Sequence, residues 1–364
     1  MFLKTFSVFV ICITSFYNVC AVSSIYATDE YKKPFKISCI ARPDQTEFKY
    51  FWIHDQFEKS LRAQDLTYEF SKNSAFLFNF AGYGDILLMD KRKIPHSKPL
   101  TTNHKLNAFF IQSKTIAGEQ FYFARGIVQE NERLVVCYID YAYGTDGPVG
   151  RIMEYKNAIQ YRVQYVVDLV SVFVRKLTEL KIIESMESIT ASGYCLGGHI
   201  AGMFGRMLYK MHNTKIRMVL AFDPIKFGFE KGNTMFSQRV QKGDAKYVEI
   251  THSSTIGTQT YDGDTDVILN DLKQPGCKYE TASLMCNHLA GYILHEIIFN
   301  RTIPAPFFAS TNKSASKKDV LVGFYNTNFK AKGVVYLNTG EIFGTPEKTL
   351  FYELLDKLKP PKVY

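Results

Sequence analysis

Short runs of apolar and β-branched residues recur along the chain and alternate with longer stretches of mixed character. Such runs are typical of strands covered on both faces, which are apolar throughout instead of alternating. Five of them are predicted to be buried strands, at residues 75–80, 133–139, 188–192, 218–222 and 246–251.

Two helices are predicted between and after these strands. The first has an apolar stripe at the 3.6-residue helical period, formed by Ala158, Tyr161, Tyr165, Val166, Leu169, Phe173 and Leu177. The second covers residues 196–211 and is rich in small and apolar residues where it leaves its strand. Alternating strands and helices predict an α/β protein with a mostly parallel central sheet and helices on both faces.

The chain of 364 residues is long enough for one principal domain. Residues 22–48 are interpreted as an N-terminal extension and loop, 49–350 as the α/β domain and 351–364 as a C-terminal tail. Within the domain, residues 305–318 are expected to connect to a final pair of strands.

Composition narrows the class of protein. With 46% hydrophobic and 22% charged residues the chain can bury a core, which excludes a disordered or fibrous protein. No apolar run of about 20 residues follows the first thirty positions, so an integral membrane body is not expected. The net charge of +9 is spread along the chain without a nucleic-acid motif. It therefore predicts a solvated, basic surface and no nucleic-acid partner.

Residues 1–21 have the features of a secretory signal peptide. Lys4 provides the positive start and residues 6–16 an apolar segment too short to span a bilayer. Cleavage is expected after Ala21, with Ala27 as a second candidate. Two glycosylation sequons, at Asn300 and Asn312, give this interpretation weak support. A secreted, extracellular protein is expected.

Removal of that segment would leave an odd number of cysteines, which are Cys39, Cys137, Cys195, Cys277 and Cys286. In an oxidising compartment an odd number means at least one free thiol or an intermolecular bond. The last two are close enough in sequence to close a small loop. A pairing of Cys39 with Cys137 is open but has no support from spacing. Cys195 would then be the odd cysteine.

Cys195 lies in the sequence Gly-Tyr-Cys-Leu-Gly-Gly-His, between a predicted strand and a predicted helix. This is the nucleophile-elbow pattern G-x-S-x-G with cysteine in place of serine. The flanking glycines fit a sharp turn, because side chains there would clash with the neighbouring helix and strand. The helix N-terminus would favour the thiolate and help to stabilise an oxyanion.

A nucleophile at an elbow needs an acid and a histidine later in the chain. Asp223 directly follows a predicted strand, which would place its carboxylate at the carboxyl edge of the sheet. Two histidines are candidates for the base. His252 ends a strand, where a packed or polar loop residue is the simpler interpretation, and His288 follows Cys286. The order Cys195, Asp223, His288 satisfies the requirement.

Together these residues resemble the animal lipases of the pancreatic type, which include insect-venom phospholipases A1 and yolk proteins. The resemblance runs from about residue 76 to about 345. It is carried by GYCLGGHIAG at 193–202, LAFDP at 220–224, GDTD at 263–266, QPGC at 274–277, CNH at 286–288 and GVVYLNT at 333–339.

The resemblance implies an α/β-hydrolase fold with a catalytic triad of Cys195, Asp223 and His288. It implies that Cys277 and Cys286 form the disulfide of a short lid, as in phospholipase A1-like members. No metal or organic cofactor is implied. Because the sequence ends at residue 364, the family's C-terminal lipid-binding β-sandwich domain is not expected. The expected partner is a lipid or phospholipid substrate at a membrane or lipoprotein surface.

Three departures from the family pattern bear on activity. Cysteine replaces the serine, Tyr194 replaces the histidine before it, and the usual His-Gly-Phe oxyanion segment is Ala-Gly-Tyr at 81–83. Because an oxyanion hole uses backbone N–H groups, Tyr83 and Leu196 remain its candidates. The expected function is hydrolysis of lipid carboxyl esters through an acyl-enzyme on Cys195. The alternative is an inactive lipid-binding or storage protein on the same fold, as in the yolk proteins. A third interpretation is an enzyme of small soluble esters.

A run of acidic residues at Asp262, Asp264 and Asp266 is similar to the start of a calcium loop, but Val267 replaces the turn glycine and Lys273 the final glutamate. No other metal or phosphate motif is present. The sequence therefore predicts no metal site.

Overall fold

A computed structural model describes the fold at residues 32, 34–80, 124, 125, 127–129, 131, 133–141, 158–232, 238–274, 287, 288, 290, 291, 294, 307–313, 320–326 and 329–338. Its strands are β1 (Phe35–Ile40), β2 (Lys49–Ile53), β3 (Ala75–Asn79), β4 (Leu134–Asp140), β5 (Ile189–Tyr194), β6 (Met218–Phe222), β7 (Tyr247–His252), β8 (Thr265–Leu269), β9 (Phe307–Ala309), β10 (Val320–Val322) and β11 (Gly333–Leu337). Its α-helices are α1 (Phe57–Ser60), α2 (Ala63–Glu69), α3 (Val163–Glu179) and α4 (Leu196–His212).

Nine of these strands form one sheet in the order β11-β8-β7-β6-β5-β3-β4-β1-β2. From β4 to β11 every pairing is parallel. Only the β1–β2 hairpin is antiparallel, both internally and where β1 meets β4. Strands β9 and β10 form a separate pair. The expected mostly parallel sheet is confirmed.

The five predicted strands form as β3 to β7, with ends shifted by at most two residues. The first predicted helix forms as α3, directly after a π-helix at Ala158–Arg162. The second forms as α4. The buried stripe of α3 includes Val166, Phe173 and Leu177, while Tyr165 and Leu169 are only partly buried.

One interpretation from the sequence is wrong. Strand β1 lies inside residues 22–48, which were assigned to an extension and loop, and the boundary at 49 separates two strands of one hairpin. Lys36 and Ser38 interrupt the apolar pattern of this strand, as expected for an antiparallel strand with one less covered face. Strand β9 likewise lies within 305–318.

A disulfide joins Cys39 of β1 to Cys137 of β4. The two residues are directly opposite each other in the antiparallel register, so the bond connects the hairpin to the parallel part of the sheet. The sequence had left this pairing open because the two positions are 98 residues apart.

The core on one face of the sheet is filled by α3, α4 and a chain of phenylalanine rings. Phe173 of α3 contacts Phe51 of β2, and Phe204 of α4 contacts Phe78 of β3, with ring centroids 5.4 Å apart in both pairs. Helix α4 also packs against β5 and β6, whose carboxyl ends carry the candidate site. Among the residues described, no helix has the length and apolar character needed to cross a bilayer.

Candidate active site

The turn between β5 and α4 has the geometry of a nucleophile elbow. Cys195 is its central residue and has a φ of 56° and a ψ of −120°, in a region that non-glycine residues rarely adopt. A Cβ on Gly193 would lie 2.1 Å from the carbonyl oxygen of Gly197. Glycine is therefore required at 193, as the elbow pattern predicted.

The elbow is tied to the end of the neighbouring strand. The Cys195 amide donates to the carbonyl of Phe222, the last residue of β6, at 3.0 Å, and the Ile225 amide donates to the Cys195 carbonyl at 3.4 Å. Cys195 itself is 3% exposed and lies outside the disulfide. These bonds fix the position of the thiol at the carboxyl edge of the sheet.

Asp223 follows β6 and is enclosed by backbone and hydroxyl donors. Its Oδ1 accepts from the amides of Ser253 at 2.8 Å and Ser254 at 3.1 Å, and its Oδ2 accepts from the Ser254 hydroxyl. A Cβ on Gly257 would lie 2.4 Å from Oδ1, so the loop after β7 closes tightly around the carboxylate.

His288 is paired with this carboxylate. Its Nδ1 lies 2.5 Å from Asp223 Oδ2, and both side chains are fully buried. Because a carboxylate accepts, the pairing assigns the proton to Nδ1 and leaves Nε2 as the acceptor that a general base needs. Nε2 is buried and forms no hydrogen bond with any described residue.

The Tyr194 ring packs on the His288 ring, with centroids 4.8 Å apart and planes 37° apart. Tyr194 is the residue before the elbow cysteine, so this contact brings the imidazole next to the elbow. Cys195, Asp223 and His288 therefore lie at the same edge of the sheet, in the chain order expected of a nucleophile, an acid and a base, and His288 Nε2 forms no hydrogen bond with Cys195.

The other histidine candidate, His252, has a different role. Its Nε2 lies 2.9 Å from Asp266 Oδ1 and its Nδ1 lies 2.9 Å from the Thr258 carbonyl. Both ring nitrogens thus face acceptors, so neither is available as a base. Instead, the bond from the ring to Thr258 joins the two ends of the loop after β7. This loop contains Ser253 and Ser254, which donate hydrogen bonds to Asp223.

Sequence reasoning missed these supporting residues. Ser253 and Ser254 follow His252 as a short polar stretch that resembles any surface turn, and only its position after β7 indicated proximity to the site. His199, the last residue of the elbow motif, also supports the fold. Its Nε2 bonds the Ile225 carbonyl at 2.8 Å, and its burial lowers its pKa to about 3.

Part of the predicted site lies outside the described residues. This applies to Tyr83 of the oxyanion pair, to Cys277 and Cys286, and to Asn300. Leu196 is described and is the first residue of α4, where backbone N–H groups have no intrahelical acceptor. It therefore has the position expected of an oxyanion donor.

Each aspartate of the run that resembled a calcium loop is paired with a different basic side chain. Asp262 pairs with Arg239 at 2.8 Å, Asp264 with Lys242 at 3.5 Å, and Asp266 with His252. Within the described part of the chain, no group of three or more His, Cys, Asp or Glu side chains is arranged to hold a metal ion.

The strand order, the elbow after β5 and the acid after β6 define an α/β-hydrolase fold with a triad-like site. Residues 123–295 match the Lipase family model. This part of the chain is similar to the lipase family, and to the phospholipases A1 in particular, so the resemblance inferred from the motifs is confirmed.

Two curated relatives illustrate this similarity. Phospholipase A1 1 of Dolichovespula maculata is 30% identical over 164 residues, which cover 44% of this chain and 48% of that protein. Phospholipase A1 member A of Bos taurus is 29% identical over 195 residues, which cover 52% of this chain and 39% of that protein. The alignments thus span less than half the length of each relative.

Among solved structures, a lipase/esterase from Lactobacillus plantarum aligns with a TM-score of 0.31 at 12% identity, covering 61% of this chain and 74% of that one.

Proposed function

We propose that this protein hydrolyses carboxyl esters of lipids, with phospholipid as the favoured substrate, through an acyl-enzyme on Cys195. The observation that carries the proposal is the buried His288–Asp223 pair at 2.5 Å, next to an elbow of the required geometry. The Nε2 atom of His288 has no hydrogen-bond partner among the described residues. In a histidine with a purely structural role, a buried nitrogen without a partner is costly. In a general base, the same nitrogen must be open to accept a proton.

In the proposed reaction His288 Nε2 takes the proton of the Cys195 thiol as the sulfur attacks the ester carbonyl. The amide of Leu196, with that of Tyr83, stabilises the oxyanion. The ester C–O bond then breaks, the proton passes from His288 to the departing alcohol, and the acyl group remains on Cys195 as a thioester. Water, deprotonated by the same nitrogen, releases the fatty acid and restores the thiol. Asp223 keeps the imidazole in the required tautomer throughout.

Two further expectations are part of this proposal. Secretion is supported by the Cys39–Cys137 disulfide, because disulfides persist mainly in oxidising compartments. Glycosylation at Asn312 is supported by the exposure of that residue in a bend after β9. The proposed partner is a phospholipid membrane or lipoprotein surface.

The test is fatty-acid release from mixed phospholipid and triglyceride vesicles by the wild type and by the Cys195→Ala and Cys195→Ser variants. We expect release by the wild type and a loss of at least about 1,000-fold in the alanine variant. The lipid consumed identifies the substrate. Intact-mass measurement of an acyl adduct on the wild type checks the thioester directly.

The second candidate function is lipid binding without turnover. It is favoured by the near-complete burial of Cys195 and by the packing of Tyr194 on the proposed base. Absence of release by the wild type, with activity only in the Cys195→Ser variant, would support this candidate. It would overturn the cysteine mechanism.

A further inference from the structure

Two large aromatic side chains are exposed at the end of the described sheet. Tyr50 and Trp52 of β2 are 49% and 62% exposed, while Phe51 between them is buried and packs on Phe173 of α3. Since alternate strand residues point to opposite faces, Tyr50 and Trp52 share the face opposite α3. Adjacent exposed aromatic side chains on a regular strand are a feature of binding surfaces.

A lysine lies between these two rings. Lys36 is across from Trp52 in the hairpin register, and its Nζ is 5.1 Å from the Tyr50 ring centroid and 5.8 Å from the Trp52 centroid. Both distances are within cation–π range. Lys36 also lies 3.9 Å from Asp140. We call Lys36, Tyr50 and Trp52 the hairpin patch.

The register of the sheet relates this patch to the elbow. One row crosses five strands, through Tyr50, Ser38, Tyr138, Asn79 and Ser192. Trp52 is two residues beyond Tyr50, as Tyr194 is two residues beyond Ser192, and β2 runs in the same direction as β5. The patch is therefore level with the residue that precedes Cys195, four strand spacings or roughly 19 Å away.

Sheet twist determines where the patch faces. Four steps of roughly 20–25° add up to about 80–100° between β5 and β2. The right-handed crossover from β5 to β6 places α4 on one face of the sheet. With the normal sense of twist, the opposite face is turned at β2 toward the end of the molecule where Cys195 lies. Tyr50 and Trp52 are on that opposite face, so the patch and the elbow face the same side.

We propose that the hairpin patch is a lipid-docking surface that inserts into the headgroup region of an anionic phospholipid bilayer. Tyrosine and tryptophan rings prefer this region because one end of each is apolar and the other polar. A lysine beside them keeps its charge in reach of phosphate while its stem covers apolar surface. The net charge of +9 favours an anionic surface over a neutral one.

The inference rests on the proposed function only in its choice of a lipid partner, and it specifies how the protein would be oriented on that lipid. A second copy of the chain, paired along the outer edge of β2, is the competing occupant of the same surface.

Trp52 is the only tryptophan in the chain, so its fluorescence reports on the patch directly. The experiment adds the full chain to vesicles of ether-linked phosphatidylcholine and phosphatidylglycerol, which an ester hydrolase cannot cleave. We expect a blue shift of emission and quenching by lipids brominated near the headgroup. In cosedimentation, Trp52→Ala should weaken partitioning by about 10-fold or more, and Tyr50→Ala by a smaller factor.

The matched control is Tyr209→Ala, which removes an aromatic side chain that is 41% exposed at the far end of α4. It should leave partitioning unchanged. Cosedimentation with unshifted Trp52 emission would overturn the proposal, because the protein would then dock through another surface. A blue shift without vesicles, together with a dimer in sedimentation velocity, would overturn it in favour of the second copy.

The two proposals fail separately. Docking on ether vesicles without fatty-acid release from ester vesicles would leave the docking surface and remove the hydrolase. Release of fatty acid with unshifted Trp52 emission would support the hydrolase and overturn the docking surface.

Discussion

At the scale of single residues, the site depends on places where no side chain fits. A Cβ on Gly193 would lie 2.1 Å from the carbonyl oxygen of Gly197, and a Cβ on Gly257 would lie 2.4 Å from Oδ1 of Asp223. A methyl group at either position would move Cys195 or Asp223, the proposed nucleophile and acid. Errors near 1 Å in such sites are costly, on the order of 100-fold in rate.

Gly193→Ala should therefore abolish esterase activity and lower the melting temperature, since the new Cβ meets backbone that cannot move alone. Gly198→Ala is the matched control. Its Cβ would meet the Cβ atoms of Pro224 at 3.2 Å and Ala221 at 3.3 Å and the carbonyl oxygen of Gly193 at 3.4 Å, all more than 1 Å farther than the clash at Gly193, and alanine favours the helix. Thermal unfolding and fatty-acid release check both variants, and similar losses in the two would contradict the elbow argument.

The buried His252–Asp266 pair allows a second test at this scale. Asp266→Ala removes the partner of His252 and also of the Gly263 amide. We expect a loss of about 3–5 kcal/mol in the free energy of unfolding. Asp266→Asn keeps the shape and can bond both partners, so its loss should be clearly smaller. Urea unfolding measures both, and equal losses would show that the hydrogen bonds at this position contribute little.

At the scale of elements, a buried carboxyl group links β7 to the segment before β11. Glu249 accepts from the Gly323 amide at 2.8 Å and from the Tyr247 hydroxyl at 3.3 Å. Burial, partly opposed by these bonds, raises the pKa of Glu249 to about 7. The native state therefore binds the Glu249 proton more tightly than the unfolded chain does.

This shift predicts a specific dependence of stability on pH. A raised carboxyl pKa contributes stability in full below the unfolded value near 4.5 and loses it as pH rises toward 7. The change amounts to about 3 kcal/mol. Glu249→Gln, which keeps an acceptor for Gly323, should flatten this part of the profile. Urea unfolding from pH 4.5 to 8 compares the two proteins, and parallel profiles would contradict the assignment.

At the scale of the whole molecule, the disulfide connects distant parts of the chain. Cys39 and Cys137 are 98 residues apart, so their bond removes a large amount of conformational freedom from the unfolded chain. The loop-entropy model gives about 4–5 kcal/mol for such a separation.

Replacing both cysteines with alanine should lower the free energy of unfolding by a comparable amount and make stability insensitive to reductant. Cys195→Ala is the control, because it leaves the disulfide intact and should keep the sensitivity. Urea unfolding with and without dithiothreitol distinguishes them. A wild type that is equally stable when reduced would argue against a structural role for the bond.

The reach of sequence reasoning differed between parts of the sheet. Strand β6 matched its prediction at both ends, because a fully buried parallel strand is apolar at every position. Strand β1 was missed because it carries Lys36 and Ser38, and a six-residue run interrupted by polar residues resembles a loop. The elbow was predicted correctly because a side chain in place of Gly193 would clash with the helix that follows, so the glycine is visible in the sequence pattern.

The sequence alone determined the class of fold, the elbow at Cys195, and the chain order of the proposed nucleophile, acid and base, since these depend on local pattern and spacing. Tertiary structure decided what depends on distance between remote residues. It chose His288 over His252 by placing one beside Asp223 and the other beside Asp266. It paired Cys39 with Cys137 and brought Ser253 and Ser254 to the acid. Such contacts follow from strand order and register, which no local pattern encodes.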